Sequence, residues 1–255
     1  MIKGVKDIMP LQEKKFEVAE IIHQYKWLRS NGYPVRLATI AKLRKMYNRD
    51  KAYHCFIKYQ YTLEGKDIVF LVDRMTNILP SEYDFFNQSF SLSHIHSKKW
   101  ICENISVDDK RVLVACGWHG LLPLFLCHFS KPKEVVSVDI DPTCKEIVEK
   151  LTRYMPVKAI TDDIFNIDYS DYDIIMNTSC EHIDFEKWLE LIPKGKTVVL
   201  QSTNYEIPEH INPMKNLDEF VQRTKIDIKS KGTGVFTDKY KRFMIIGEKN
   251  GKNII

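Results

Sequence analysis

The sequence predicts an α/β fold: a mostly parallel, seven-stranded central sheet with helices on both faces, preceded by a mainly helical N-terminal region. Three observations carry that expectation. From residue 110 onward, short apolar runs alternate with stretches of helical spacing, the rhythm of a parallel sheet covered on both sides. The runs at 111–116, 134–138, 174–176 and 197–200 are apolar almost throughout, as in strands buried on both faces. Of 255 residues, 44% are hydrophobic and 28% charged, so enough apolar surface is available to offset the entropy of ordering the chain.

The N-terminal part is read as residues 1–93. Phe16, Val18, Ala19, Ile21, Ile22 and Tyr25 follow helical spacing, and Asn31-Gly32-Tyr33-Pro34 breaks it. A second helical pattern runs from Val35 to Tyr47 through Leu37, Ile40, Leu43 and Met46. Asp67 to Val72 reads as a short strand or a buried helical turn, Asn77 to Ser81 as a boundary, and Asn87 to Ser93 as a polar and aromatic loop. His94 to Asn104 is a helix that opens the main domain, 94–255.

In that domain Arg111 to Cys116 is the first strand, and Gly117-Trp118-His119-Gly120 turns the chain into a helix from Leu121 to Phe129. Glu134 to Asp139 is the second strand. Asp141 suits the N-cap of the next helix, with Pro142 in its first turn and the body running Thr143 to Tyr154. Val157 to Ile160 is the third strand, Tyr172 to Asn177 the fourth and Lys196 to Gln201 the fifth, with a helix from Phe185 to Ile192 between the last two. Thr224 to Lys229 and Arg242 to Gly247 are expected as a terminal antiparallel pair separated by Gly232-Thr233-Gly234.

Charge divides the chain. The net charge is +4, with +5 on residues 1–110 and −1 on the rest. The excess lies between Tyr25 and Tyr61, where nine Lys and Arg face one acid and alternate with aromatics. Two readings stand: a solvated helical face, or a surface for a nucleic acid. No apolar run nears the roughly 20 residues of a membrane helix, and the first residues lack the apolar core of a signal peptide. The six cysteines form no CxxC pair and several lie in apolar runs, which is the pattern of free thiols in a reducing cytoplasm. His94 and His96 alone make no metal set, and no metal is expected.

Ligands of open parallel sheets bind at the carboxyl ends of the strands. Four such ends carry suitable groups here. Glycines that permit close backbone approach follow the first strand. Asp139 ends the second, 22 residues after Gly117, near the spacing of about 20 at which an acid meets ribose hydroxyls. Asp162 and Asp163 follow the third strand, and Asn177-Thr178-Ser179-Cys180-Glu181-His182 the fourth.

On these residues the chain resembles the class I S-adenosylmethionine (SAM)-dependent methyltransferases, a Rossmann-like family, over roughly Lys110 to Lys249. The resemblance implies SAM as cofactor. It places Ala115, Gly117, Trp118, Gly120, Ile140 and Ile164 among the cofactor-binding residues, Asp139 on the ribose hydroxyls, and Asp162 or Asp163 at the adenine. Asn177, Glu181 and His182 fall where chemistry occurs, with Asn177 also beside the cofactor, Glu181 or His182 as general base and Asn177 orienting the acceptor. The glycine turn departs from the family spacing: Trp118 stands where the middle glycine falls.

No Asn/Asp-Pro-Pro-aromatic motif follows the fourth strand and no Pro-Cys occurs, which disfavours the common amino- and cytosine-methylating DNA enzymes. The expectation is a methyltransferase with a small-molecule acceptor selected by the N-terminal region. The alternatives are a transferase that uses the basic stretch to bind RNA or another nucleic acid, and a protein that keeps the fold without transferring methyl groups.

Overall fold

The computed structural model describes residues 92–236 and 239–250, together with Arg74 and Ser89. The helices expected within 1–73, the strand or turn at Asp67 to Val72, the boundary at Asn77 to Ser81 and the basic stretch Tyr25 to Tyr61 lie outside the described residues. Helix α1 spans Leu92–Asn104, so Leu92 and Ser93 belong to a helix rather than to the expected loop; among the described residues, those from Ser97 onward belong to the compact unit that holds the sheet.

The elements then alternate: β1 Arg111–Ala115, α2 Leu121–Phe129, β2 Glu134–Asp139, α3 Pro142–Leu151, β3 Val157–Thr161, β4 Ile174–Asn177, α4 Phe185–Glu190 and β5 Thr197–Thr203. Helix α5, Leu217–Arg223, and strands β6 Asp227–Gly234 and β7 Arg242–Glu248 complete the fold. The seven strands lie in the order β3-β2-β1-β4-β5-β7-β6. Strands β1 to β5 pair in parallel, and β7 runs antiparallel between β5 and β6. Strand β4 pairs with β1 although β2 and β3 intervene in sequence, so the order reverses at the β1–β4 boundary. Open sheets of this kind bind ligands at such a reversal.

Apolar side chains fill both faces of the sheet. On one face Leu113, Val136, Ile175, Val198 and Leu200 pack with Phe185, Trp188 and Leu189 of α4 and Phe220 of α5. On the other, Val112, Val114, Val135, Met176 and Val199 pack with Ile101 of α1 and Leu122 and Leu126 of α2. The period-2 alternation of each strand feeds both layers, which is why the strands read as continuous apolar runs. No helix among the described residues is long and apolar enough to cross a membrane.

Most boundaries follow from local chemistry. Asp141 caps α3 by accepting from the Thr143 amide at 2.9 Å, with Pro142 at the first helical position as expected. The helix stops at Leu151 rather than Tyr154, because Tyr154 takes a left-handed backbone, φ 68°. One expectation is overturned. Gly232-Thr233-Gly234 does not separate the antiparallel strands but forms the end of β6, and 235–241 make the connection. These glycines serve packing: a Cβ on Gly232 would stand 2.9 Å from Trp100 Cζ2, and one on Gly234 2.5 Å from the Phe236 ring. Helix α5 and the short 3₁₀ turns Ile164–Asn166 and Cys180–His182 were not foreseen, being too short for periodicity to register.

Candidate functional site

The turn after β1 is built on left-handed backbone. Cys116 has φ 52°, Trp118 φ 48° and Gly120 φ 79°. For the two residues that carry side chains this costs about 1–2 kcal/mol each, a cost that persists only where the surroundings over-determine it. Here the Gly117 amide donates to the Val138 carbonyl at 2.9 Å and the Gly120 amide to the Gly117 carbonyl at 3.1 Å. A Cβ on Gly117 would collide with the Ser137 hydroxyl of β2, and one on Gly120 would lie 2.9 Å from Val148 of α3. Both glycines therefore let the turn sit down against β2 and α3.

Asp139, at the end of β2, ties this turn to the next. Its Oδ2 accepts from the Trp118 amide at 2.8 Å and its Oδ1 from the Asp141 amide at 3.1 Å. Each carboxylate oxygen keeps a further lone pair, so the half-buried side chain can still accept from a ligand hydroxyl. The Trp118 indole stacks on His119 at 5.1 Å between ring centroids, and His119 is buried. Ile140, the residue after the acid, is 71% exposed, a large apolar surface at a strand end. Burial pushes the Cys116 thiol up to about 12, with Asp139 and Glu181 adding to the effect, so this cysteine stays a neutral thiol.

After β3, Asp162 is exposed and Asp163 half-buried. Asp162 Oδ1 accepts from the Asp163 amide at 2.7 Å, and Asp163 Oδ1 caps the 3₁₀ turn through the Phe165 amide at 2.9 Å. The Asp162 amide donates to the Asp139 carbonyl at 3.1 Å, so the ends of β2 and β3 meet. Ile164 and Ala115 are buried in the core, where Ala115 can offer a ligand only its backbone.

The end of β4 is more polar than its surroundings explain. Asn177 is fully buried; its Oδ1 accepts from the Ser179 amide at 2.9 Å, while its Nδ2 has no partner. Glu181 is buried on the following 3₁₀ turn, with Oε1 3.8 Å from Arg242 Nη1 of β7 and Oε2 without a hydrogen-bond partner. Ser202 Oγ, near the end of β5, is a third buried polar atom without a partner. Burial, then the charge of Arg242, holds the Lys98 ammonium of α1 well below the usual lysine range; its Nζ donates to Gln201 Oε1 at 3.4 Å. Buried polar atoms without partners are rare in folded interiors and point to a binding partner or ordered water.

His182 stands apart from Asn177: it is exposed and faces the loop after β5. Its Nδ1 lies 3.1 Å from the Glu209 carbonyl, and its ring meets that of His210 edge to face at 4.5 Å. The Asn212 amide donates to the Glu181 carbonyl at 2.9 Å and Asn212 Nδ2 to the Ile183 carbonyl at 2.8 Å, which docks the loop onto the 3₁₀ turn. Arg223 of α5 donates to Asn212 Oδ1 at 3.1 Å and to Glu186 at 2.7 Å. Sequence reasoning missed Lys98, Arg242 and His210. Lys98 lies within a helix and Arg242 opens a strand, with no motif around either, and His210 lies 28 residues from His182 in sequence.

No known family model matches the sequence, and no curated protein matches it by sequence similarity. The fold does match solved structures. A magnesium protoporphyrin IX methyltransferase from Synechocystis PCC 6803, crystallised with SAM bound, superposes with a TM-score of 0.50 at 12% identity, over 68% of this chain and 86% of that one. The YcgJ protein of Bacillus subtilis superposes with a TM-score of 0.50 at 13% identity, over 62% of this chain and all of its own, 100%. The chain thus has the class I, Rossmann-like methyltransferase fold.

Proposed function

We propose that this protein is a SAM-dependent methyltransferase with a small-molecule acceptor. The observation that carries the reading is the set of polar groups at the carboxyl ends of β1, β2, β3 and β4, gathered where the strand order reverses. Asp139 would take the ribose hydroxyls. Ile140 offers an exposed apolar face for the adenine, with Asp162 or Asp163 for its amino group. Gly117 and Gly120 keep the first turn low, and Trp118 lies against His119. Asn177 Nδ2, buried and unpartnered, is a donor left for a bound ligand.

Bound there, SAM supplies a methyl group on a positively charged sulfur. The chain positions the acceptor, excludes water and manages the acceptor's proton. Asn177 orients, and the Glu181–His182 turn receives the proton. Because a carbonyl can only accept, the contact with Glu209 makes His182 Nδ1 the protonated nitrogen and leaves the lone pair on Nε2. Two observations favour a small acceptor: the DNA-methylating motifs are absent, and the Synechocystis enzyme that shares the fold methylates magnesium protoporphyrin IX. Selection of the acceptor by residues 1–93 is part of the proposal. So is a cytoplasmic setting, which the free thiols of Cys102, Cys116, Cys127, Cys144 and Cys180 suit.

Calorimetric titration with SAM and S-adenosylhomocysteine tests the reading. Wild type should bind with micromolar affinity, about −8 kcal/mol, and Asp139→Ala at least about tenfold more weakly through lost hydrogen bonds to a charged group. No binding at millimolar ligand would move the protein to a non-methylating use of the fold.

A further inference from the structure

We propose that Glu181, His182 and His210 form a site for a divalent first-row transition cation that binds the oxygen of the methyl acceptor. One ligating atom from each of the three residues lies within 4.8 Å of the other two. Two histidines and one carboxylate, with positions left open, form a donor set that suits zinc, cobalt, nickel, manganese or iron(II) rather than calcium.

Three independent features prepare these residues for a metal. Both imidazoles are oriented: His182 Nδ1 faces the Glu209 carbonyl at 3.1 Å and His210 Nδ1 the Tyr205 carbonyl at 2.6 Å. Each ring then carries its proton on Nδ1 and its lone pair on Nε2, the pattern seen where a backbone carbonyl fixes a metal-binding histidine. Glu181 is 3% exposed, yet its Oε2 has no hydrogen-bond partner. A buried carboxylate oxygen left bare is costly, and a cation would satisfy it while Oε1 stays beside Arg242. Finally, the loop that brings His210 is held in place. Asn212 is bonded to the backbone of Glu181 and Ile183, and the Met214 amide donates to the Thr203 carbonyl at 2.9 Å.

Ligand atoms around a tetrahedral ion with bonds of about 2.0–2.1 Å stand roughly 3.3 Å apart. The three ligand atoms, all within 4.8 Å of one another, draw together toward that spacing on loading. With the cation bound, Glu181 and His182 serve as its ligands instead of as the base, and an acceptor hydroxyl on an open position loses its proton to water more readily. Its oxygen then bonds the methyl carbon as the carbon–sulfur bond breaks, with the electron pair staying on sulfur. The acceptor class is an oxygen nucleophile. This role in catalysis rests on the methyltransferase reading; the metal site does not.

The test uses the full-length protein stripped with chelator and titrated with Co²⁺, followed by its visible absorption, and with Zn²⁺ by calorimetry. Wild type should take up one Co²⁺ with micromolar affinity and a ligand-field spectrum. His210→Ala, on an outer loop, should lose at least tenfold in affinity together with that spectrum. Glu181→Gln should do the same if its circular dichroism stays native. Millimolar or weaker binding by wild type, or an unchanged spectrum in His210→Ala, would overturn the site. SAM titration of the same samples separates the two readings: SAM binding without Co²⁺ binding removes the metal alone, and Co²⁺ binding without SAM binding removes the methyltransferase reading alone.

Discussion

Gly117 and Gly195 are the same residue with opposite reasons for being there. Gly117 faces Ser137 so closely that any Cβ would collide with its hydroxyl, whereas Gly195 has φ 80° and nothing within 4 Å of where its Cβ would stand. Gly195→Ala meets only backbone strain, about 1–2 kcal/mol. Gly117→Ala must push β2 and the turn apart and should cost roughly 1–3 kcal/mol in urea unfolding, the range for overpacking. It should also weaken SAM binding, because the displaced turn carries the Trp118 amide off Asp139; Gly195→Ala should leave that binding unchanged. Equal effects of the two on SAM affinity would refute this role for the turn. Asp139 was legible in the sequence because it ends a clear strand at a telling distance from the glycines. The Glu181–His182 pair was legible for the same reason of position. His210 was not, since no local pattern reveals that Asn212 folds its loop back onto the turn after β4.

Strand β6 shows how an element can carry misleading punctuation. Glycines within a run normally mark a turn, but here Gly232 clears a space on the strand for the Trp100 indole and Gly234 one for the Phe236 ring, and the two rings meet edge to face at 5.8 Å. The alternation of β1 to β5 was legible because buried parallel strands are apolar on both faces. Strand β6 was not, because its burial alternates and its fill comes from a helix some 130 residues earlier. Gly232→Val supplies a test at this scale. A β-branched residue has the higher strand propensity, so an isolated view of β6 expects stabilisation. With Trp100 in place the substitution should destabilise by about 1–3 kcal/mol. In a Trp100→Ala background it should be neutral or better, giving a coupling of about 1 kcal/mol or more in a double-mutant cycle. Additive effects would mean that Trp100 is not what holds position 232 to glycine.

Across the whole molecule, the two ends of the parallel sheet have different tasks. The carboxyl ends carry bare polar atoms, Asn177 Nδ2, Glu181 Oε2 and Ser202 Oγ, which point to a bound ligand or ordered water there. The amino ends are paired. Glu134 at the start of β2 binds Arg111 of β1 at 3.1 Å and Lys158 of β3, and Arg111 also reaches Asp171 at 3.4 Å, so one carboxylate joins three strands. Hydrogen bonds from Lys158, then from Arg111, hold the Glu134 carboxyl below the usual glutamate range. A folded pKa below the unfolded value of about 4.3 means that the folded state binds fewer protons. The stabilisation is complete above that value and is lost as the pH falls through it toward the lowered folded pKa. Asp141, held low by the Thr143 hydroxyl and amide, acts in the same direction at the head of α3. The urea midpoint of the wild type should therefore fall between about pH 5 and pH 3. Glu134→Gln should start lower at pH 7 and decline less steeply over that interval, while binding SAM like the wild type at pH 7, because the substitution lies at the opposite end of the sheet from the site. An identical acid slope in the variant would show that Glu134 does not govern this limb. A loss of SAM affinity would show that the two ends are not independent, and that the pairing across β1, β2 and β3 sets the geometry of the turn that holds Asp139.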